Sequence, residues 1–407
     1  MEIKKSTLMV VCLLIIIYFN ERMFYTLEIS NSINAIVLLG ITVILFLFYI
    51  KSFITKRFLF RGVILSYVVL NIISLTLTNV QFNQPIILAL LRYKYVFVVL
   101  LYFPLCIMIE KAGVEKIKKV LITTTSILSI VYIIQAMLYP NIIFLNLNYA
   151  DRFGFTRFYD GAFFIVVGLF ITISTLYDYE IKRGKLKYYF AFICQFSYLI
   201  FVAQTRSSIV PIVLIIMFVL ISKLSLNNIL SYFRVAALVV IGTLMLAPYF
   251  VNIFDSVKTD IGRSEGSAYI RVQAKEYMEE KILEYPIMGV GLYNAKYQEG
   301  KNINGSVNKY YAEDVGIIGF VFQYGFLGLL VYLGMMTRFF SLTYRISKYD
   351  KRKSILYVIF TGYLCTQIPF SIVMNVDNQL IYVVIFMALI QSDYNNVRSQ
   401  NTKQVSI

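Results

Sequence analysis

Histidine and tryptophan are absent from this sequence, and proline accounts for only 7 of 407 residues. The absence of histidine excludes a Ser-His-Asp triad, an HExxH zinc site and any histidine general base. Catalysis would therefore have to use carboxylates, arginine, lysine, tyrosine or a divalent cation held by oxygen ligands. We predict no resident cofactor or metal site, while a divalent cation bound through oxygen ligands stays open.

Cysteine is also scarce, with four residues that each lie inside an apolar run: Cys12, Cys106, Cys194 and Cys365. Their wide spacing is not that of a disulfide framework or a CxxC metal site. We interpret them as small buried hydrophobic side chains.

Charge is sparse as well, because only 15% of the residues are charged while 59% are hydrophobic, with a mean hydropathy of +0.73. A water-soluble protein needs a larger charged surface, so lipid is the solvent for most of this chain. The net charge of +16 does not indicate nucleic acid, because the basic residues fall mainly in short loops between apolar runs. The predicted fold class is an all-α polytopic membrane protein.

Apolar runs of suitable length predict about twelve transmembrane helices. They are centred near 8–19, 33–50, 59–78, 86–109, 120–139, 161–177, 188–204, 207–222, 233–251, 315–337, 354–374 and 379–391. The first span follows Lys4 and Lys5 without a cleavage site, which predicts a signal anchor.

The loops between these spans alternate in basic content along the chain. Loops rich in Lys and Arg are 4–5, 51–61, 111–119, 182–187, 223–234, 345–353 and the tail; loops poor in them are 20–32, 79–84, 140–159, 204–207 and 375–378. Because cytoplasmic loops carry the excess of positive charge, both termini are predicted to be cytoplasmic.

This topology divides the chain into a bundle of about nine spans over 1–251, a long extracytoplasmic loop over 252–311, about three spans over 312–391 and a disordered cytoplasmic tail over 392–407. The long loop contains the stretch AYIRVQAKEYMEEKILEYP, which predicts an amphipathic helix that ends at Pro286. Gly289 and Gly291 follow in MGVGLYNAKY, where they permit a turn close to a ligand or to another backbone segment.

Arginines recur on the predicted outer side, and they are the first candidate site residues: Arg92 (with Lys94), Arg152, Arg157, Arg206, Arg263 and Arg271. Charge at membrane depth is costly and is usually retained for a partner or a substrate. The planar guanidinium matches phosphate oxygens, so this group suits a lipid-anchored diphosphate. An interfacial arginine can also reach phospholipid head groups, and Asp151 and Asp160 could pair with Arg152 and Arg157.

Glu313 and Asp314 stand where the long loop re-enters the membrane, in YYAEDVGIIGF. A carboxylate there could accept a proton from a sugar hydroxyl, orient an arginine, or cap the helix that follows. Asp377 in a short outer turn is a weaker candidate. Tyrosines in the outer segments could stack on sugars, although interfacial aromatic belts account for most tyrosines; these are Tyr159, Tyr269, Tyr293, Tyr310 and Tyr311.

Three stretches in this order resemble motifs of the O-antigen polymerase and ligase superfamily: TRSSIV, YIRVQAKEYMEEKILEYPIMGVGLYN and DVGIIGFVFQYGFLGLL. The resemblance spans about 200–335. It implies a glycosyltransferase acting on lipid-linked sugars at the outer face, with Arg206 and Arg271 at the positions of the family's functional arginines. Ligases of the family commonly have a histidine about nine residues before E-x-G-l-l-G, and Asp314 occupies that position here. This departure favours the polymerase branch.

The resemblance therefore implies a polymerase that transfers a growing chain from undecaprenyl diphosphate to the next lipid-linked repeat unit, for O-antigen, capsule or exopolysaccharide. Its expected partners are these lipid-linked oligosaccharides, membrane lipids and a chain-length regulator protein, with no nucleic acid. The expected location is the bacterial inner membrane. A lipid-linked oligosaccharide flippase, which would have short loops and paired repeats of spans, is the main alternative from another class. An O-antigen ligase is the second.

Overall fold

The computed structural model of this protein describes residues 2–27, 31–152, 155–178, 184–222, 266–304, 310–376 and 378–405. Its α-helices, in chain order, are α1 (Glu2–Asn20), α2 (Asn31–Phe48), α3 (Ile50–Thr55), α4 (Arg61–Phe82), α5 (Ile86–Tyr93), α6 (Tyr102–Ala112), α7 (Val114–Leu138), α8 (Ala162–Tyr177), α9 (Lys185–Ser197), α10 (Arg206–Ser222), α11 (Gly266–Glu284), α12 (Gln298–Ile303), α13 (Gly316–Tyr349), α14 (Lys351–Gln367) and α15 (Leu380–Val405). Strands β1 (Ala150–Arg152) and β2 (Phe155–Arg157) form a small antiparallel pair. The helical prediction is confirmed.

Within the described residues, six helices are long and apolar enough to cross a membrane: Arg61–Phe82, Ile86–Ala112, Val114–Leu138, Lys185–Ala203, Gly316–Tyr349 and Leu380–Gln400. The second of these joins α5 to α6 through a 3₁₀ segment, Lys94–Leu101. Shorter apolar helices occupy the predicted spans near 8–19, 33–50, 161–177 and 207–222. The predicted span at 233–251 lies outside the described residues, so the total of about twelve stays a prediction.

The bundle has two chemically different ends. At one, which we call the basic end, Lys56 lies 2.9 Å from Glu110 and Arg352 lies 3.9 Å from Asp178. At the other, the far end, the Asn20 amide donates to the carbonyl of Asn378 at 2.9 Å. These contacts join segments in or next to the Lys- and Arg-rich loops at one end and segments of the Lys- and Arg-poor loops at the other. Which end faces the cytoplasm stays a prediction.

The prediction of a disordered tail over 392–407 is wrong for most of that segment, because α15 continues to Val405. Asp393 is only 3% exposed and accepts a hydrogen bond from the Tyr357 hydroxyl at 2.5 Å. The Lys118 ammonium lies 3.6 Å from the same carboxylate, and Val397 is buried. These contacts with α7 and α14 hold the polar end of the helix against the bundle, and no local pattern in the sequence indicated them.

Helix α13 is interrupted at Gly325, where φ is 62° and ψ is −166°. This conformation is essentially restricted to glycine. The turn segment 286–291, just after α11, lies in the break and replaces the lost helical hydrogen bonds. The four bonds run from Val290 N–H to Phe322 O (2.8 Å), Gly291 N–H to Gln323 O (3.0 Å), Phe326 N–H to Pro286 O (2.9 Å) and Leu327 N–H to Ile287 O (3.1 Å).

Candidate functional site

A cavity of about 520 Å³ opens at the far end of the bundle. Its wall is built from the end of α1, the start of α2, the join between α5 and the 3₁₀ segment, the loop that follows segment 286–291, and the residues that lead into α13. It therefore lies between the membrane helices and the part of the predicted outer loop that the structure describes.

Among the described residues of the cavity wall, four cationic side chains, Arg22, Arg92, Lys94 and Lys296, outnumber one carboxylate, Glu313. Lys94 is only 6% exposed, and its ammonium donates to the carbonyl of Leu91 at 2.7 Å. Cations held in a partly desolvated concave site create a positive potential that attracts anionic ligands. The wall is suited to a phosphate-bearing molecule.

Arg92 and Glu313 meet in this cavity, although 221 positions separate them in the chain. The guanidinium lies 2.6 Å from the carboxylate, and the two side chains are 34% and 24% exposed. Both were candidate site residues from the sequence. The capping alternative for the acidic pair is not supported, because Val315 precedes α13 and no side chain caps that end. Glu313 instead pairs with an arginine.

Amides and phenols make up much of the remaining wall, including Asn20, Asn34, Tyr297, Tyr310 and Tyr311. Tyr293 is buried and donates to Asn304 Oδ1 at 3.0 Å. Asn294 is held by Gln84, whose side-chain oxygen accepts from the Asn294 N–H at 2.8 Å and whose amide donates to the Asn294 carbonyl at 3.1 Å. Such groups can form hydrogen bonds with the hydroxyls of a sugar and stack against the apolar face of its ring.

The glycine turn predicted from MGVG is confirmed, with φ of 67° at Gly289 and 83° at Gly291. A Cβ at Gly289 would lie 2.5 Å from the Phe322 carbonyl oxygen, and one at Gly291 would lie 2.5 Å from that of Ser74. The turn therefore approaches the backbones of α13 and α4 rather than a ligand. Pro286, just before it, supplies one carbonyl to the break in α13.

Of the other predicted arginines, Arg157 and Arg271, whose side chains the structure describes, do not line this cavity. Arg271 is exposed near the start of α11, whereas Ala274 and Met278, three and seven residues further along the same side of that helix, are buried. Arg157 on β2 donates to the carbonyl of Ala203 at 3.1 Å, and Arg206 begins α10 three residues later in the chain. The structure thus brings Arg157 beside the turn that carries Arg206.

Several predicted positions are described only in part. For Arg152, at the end of β1, and for Arg206, the structure describes the backbone and not the side chain. Arg263 and Asp377 lie outside the described residues. Asp314 is exposed beside Glu313. Whether Arg206 and Arg271 share a cavity therefore stays a prediction.

Arg22, Lys296 and Gln323 line the cavity, and the sequence analysis did not select them. Arg22 lies in a loop that counted as poor in basic residues, and Lys296 lies among other charged residues of the long loop. Of these three residues, only Gln323 could have been predicted from the sequence, since an amide inside an apolar span is uncommon without a polar partner. In the described part of the chain, no group of three or more acidic or cysteine side chains is arranged to hold a metal ion.

Comparison with known proteins agrees with the motifs found in the sequence. Residues 190–333 match the family model described as "O-Antigen ligase". No curated protein matches the chain significantly. The matched residues include most of α9, all of α10, the segment 286–291, Glu313 and the part of α13 that contains the break. The match supports the resemblance to the O-antigen polymerase and ligase superfamily over this segment of the chain.

Proposed function

We propose that this protein is a membrane glycosyltransferase that polymerises oligosaccharide repeat units carried on undecaprenyl diphosphate. The observation that carries the proposal is the cationic cavity at the far end, in which Arg92 and Glu313 face each other at 2.6 Å. The far end is the outer face of the bacterial inner membrane in this proposal, and both termini are cytoplasmic. The family match supports lipid-linked sugar chemistry.

The reaction forms one bond and breaks one. A hydroxyl oxygen of the acceptor repeat unit attacks the anomeric carbon of the donor chain, and the bond from that carbon to the diphosphate oxygen breaks. Arg92 and Lys94 neutralise the leaving diphosphate, where negative charge accumulates. Glu313, released from Arg92 when the diphosphate binds, takes the proton of the attacking hydroxyl. The sequence motifs also make Arg206, Arg271, Arg157 and Arg152 proposed diphosphate ligands, although Arg157 and Arg271 do not line this cavity. Asp314 is the second candidate base.

A polymerase is favoured over a ligase by the acidic residue Asp314 at the position of the ligases' histidine. It is favoured over a flippase by the single long outer segment, because flippases are expected to have short loops and paired repeats of spans. The proposed protein partner is a chain-length regulator. No cofactor is proposed.

Reconstitution tests the proposal directly. The purified chain in proteoliposomes would receive lipid-linked repeat units extracted from a strain that lacks it, with no nucleotide sugar added. A ladder of products on undecaprenyl diphosphate is expected. Transfer of a single unit to a different acceptor lipid would indicate a ligase, and transbilayer movement without a new glycosidic bond would indicate a flippase. Either result would overturn the polymerase proposal.

Arginine variants test the diphosphate role. Arg92→Ala is expected to lower kcat by roughly 100-fold, the usual effect of removing a group that stabilises developing charge. Arg345→Ala, at an exposed arginine near the other end of α13, is the matched control and should leave the ladder unchanged. Arg206→Ala and Arg271→Ala are expected to shorten the ladder as well. An Arg206→Ala protein with full polymer length would remove that residue from the site.

A further inference from the structure

Gln323 is a buried amide inside the apolar helix α13, 1% exposed, and it lies two residues before the break at Gly325. Both polar atoms of its side chain form hydrogen bonds. Nε2 donates to the Tyr93 hydroxyl at 2.7 Å, and Oε1 accepts from the Asn375 amide at 2.6 Å. Burying an amide in an apolar environment is unfavourable unless such partners are present. The two bonds explain why this span tolerates it.

These bonds join three segments of the cavity wall. Tyr93 stands between Arg92 and Lys94 in the chain, so the bond to its hydroxyl reaches the segment that carries two of the four cations. Asn375 belongs to the short 3₁₀ segment before α15, and its carbonyl accepts a second bond from Tyr95 at 2.9 Å. The paired amides of Gln323 and Asn375 thus hold the segment 92–95 through the hydroxyls of Tyr93 and Tyr95.

The backbone of Gln323 adds a fourth connection. Its carbonyl, which the break in α13 leaves without a helical donor, accepts from Gly291 N–H at 3.0 Å. The residue that contacts the glycine turn with its main chain therefore contacts the cation-bearing segment with its side chain. Displacement of the turn would be transmitted to Tyr93 through this single residue.

We infer that Gln323 is a positioning residue that holds the segment 92–95 against the cavity, so that Arg92 and Lys94 can bind the diphosphate of a lipid-linked substrate. The inference rests on the proposed function for the identity of that anion. A guanidinium must sit within hydrogen-bond reach of a phosphate oxygen, and a displacement of about 1 Å at a catalytic group can cost on the order of 100-fold in rate. Gln323 lines the cavity, but both polar ends of its side chain are engaged by Tyr93 and Asn375, so in this inference it acts through Tyr93.

One substitution at this position removes the bonding and keeps the volume. Gln323→Met keeps an unbranched side chain of similar length and loses both hydrogen bonds. Gln298→Met, at an exposed glutamine of α12, is the control for the substitution itself. Thermal unfolding in detergent checks each variant.

Binding of undecaprenyl diphosphate to the purified full-length chain is the first measurement. We expect Gln323→Met to weaken binding at least tenfold, with Gln298→Met close to wild type. In the proteoliposome assay, Gln323→Met should lower kcat more than it changes KM, which a purely structural defect would not do. Tyr93→Phe should reproduce the loss, and the double variant should be no worse than Gln323→Met alone.

Equal binding by wild type and Gln323→Met would overturn the inference. If Gln323→Met does not fold, Tyr93→Phe decides the matter, and unchanged binding by that variant would overturn the inference. A wild-type chain that binds undecaprenyl diphosphate but builds no polymer would overturn the proposed function while leaving the positioning role intact. A wild-type chain that does not bind the lipid would overturn both.

Discussion

Single residues at the far end have environments that their sequence neighbours do not reveal. Glu313 faces Arg92, whereas the adjacent Asp314 is exposed to solvent. Exposed ion pairs contribute little to stability, typically about 0–1 kcal/mol, and this pair is about a quarter to a third exposed. Its importance in our proposal is therefore chemical rather than structural.

Glu313→Gln tests that distinction, because it removes the proton acceptor while keeping the shape of the side chain. We expect kcat for polymerisation to fall on the order of 100-fold or more, as for loss of a general base, with a change in unfolding temperature close to zero. Glu280→Gln, at an exposed position of α11, is the control. Equal kcat values for the two variants would exclude Glu313 as the base.

Glu21 is a second carboxylate in an unusual environment, one residue beyond the end of α1 and 1% exposed. The Tyr382 hydroxyl donates to its Oε1 at 2.5 Å, whereas its Oε2 has no hydrogen-bond partner among the described residues. Burial raises the pKa of Glu21 from 4.5 to about 7, against the smaller opposing effects of Tyr382, Asn20 and Arg22. At about 1.4 kcal/mol per tenfold change in an equilibrium, the ionised form costs on the order of 3 kcal/mol.

This raised pKa predicts the pH dependence of stability. The native state holds the Glu21 proton more tightly than the unfolded state, so its contribution is complete below pH 4.5 and is lost as the pH rises through about 7. Glu21→Gln imitates the protonated form and should abolish that loss. Thermal unfolding in detergent, below pH 4.5 and above about pH 7, measures this loss of stability, with Glu280→Gln as control. Parallel pH profiles for wild type and Glu21→Gln would contradict the prediction.

Among the elements, the interrupted helix α13 depends most on a single backbone conformation. An alanine at Gly325 would bring Cβ within 2.3 Å of the Ile287 carbonyl oxygen, in a left-handed conformation with φ of 62°. Gly334 lies in the same helix with nothing within 4 Å of its Cβ position. One helix thus contains a required glycine and a replaceable one.

The two glycines predict opposite outcomes for the same substitution. Gly325→Ala should destabilise the protein by about 1–3 kcal/mol, the usual cost of such a backbone conformation, and should expose the segment 286–291 to protease. Gly334→Ala should be neutral or stabilising by up to about 1 kcal/mol, because alanine favours helix. Denaturation and limited proteolysis in detergent measure both. Resistance of the segment in Gly325→Ala would show that the break does not hold it.

At the scale of the whole molecule, the separation of a basic end from a cavity-bearing end predicts how the protein sits in its membrane. Lys187 lies beside the basic end and Glu280 on the outer-loop helix, and both are exposed. In intact cells, with the outer membrane made permeable where there is one, a membrane-impermeant maleimide should label Glu280→Cys. It should label Lys187→Cys only after the inner membrane is opened.

The wild-type chain is the control for this labelling. Cys106 and Cys194 are buried, and Cys12 and Cys365 are partly buried within apolar helices, so little background reaction is expected. The reverse pattern would place the cavity in the cytoplasm and would contradict a reaction on lipid-linked units outside.

Local patterns in the sequence were sufficient for much of this description. Helix type follows from long apolar runs, the end of α11 from Pro286, and the turn at Gly289 and Gly291 from the freedom of glycine, because each depends on near neighbours in the chain. The grouping of loops at two ends follows from charge alone. The family motifs likewise lie in one contiguous segment.

Tertiary packing decided the rest, since it depends on contacts between residues far apart in the chain. The pairing of Arg92 with Glu313, the bonds of Gln323 to Tyr93 and Asn375, and the burial of Asp393 each join helices that no local pattern relates. The break in α13 needed a partner segment to satisfy its backbone groups, and only the folded chain brings segment 286–291 into it. Short-range preferences shape the helices, whereas the cavity arises from polar groups that find partners across the bundle.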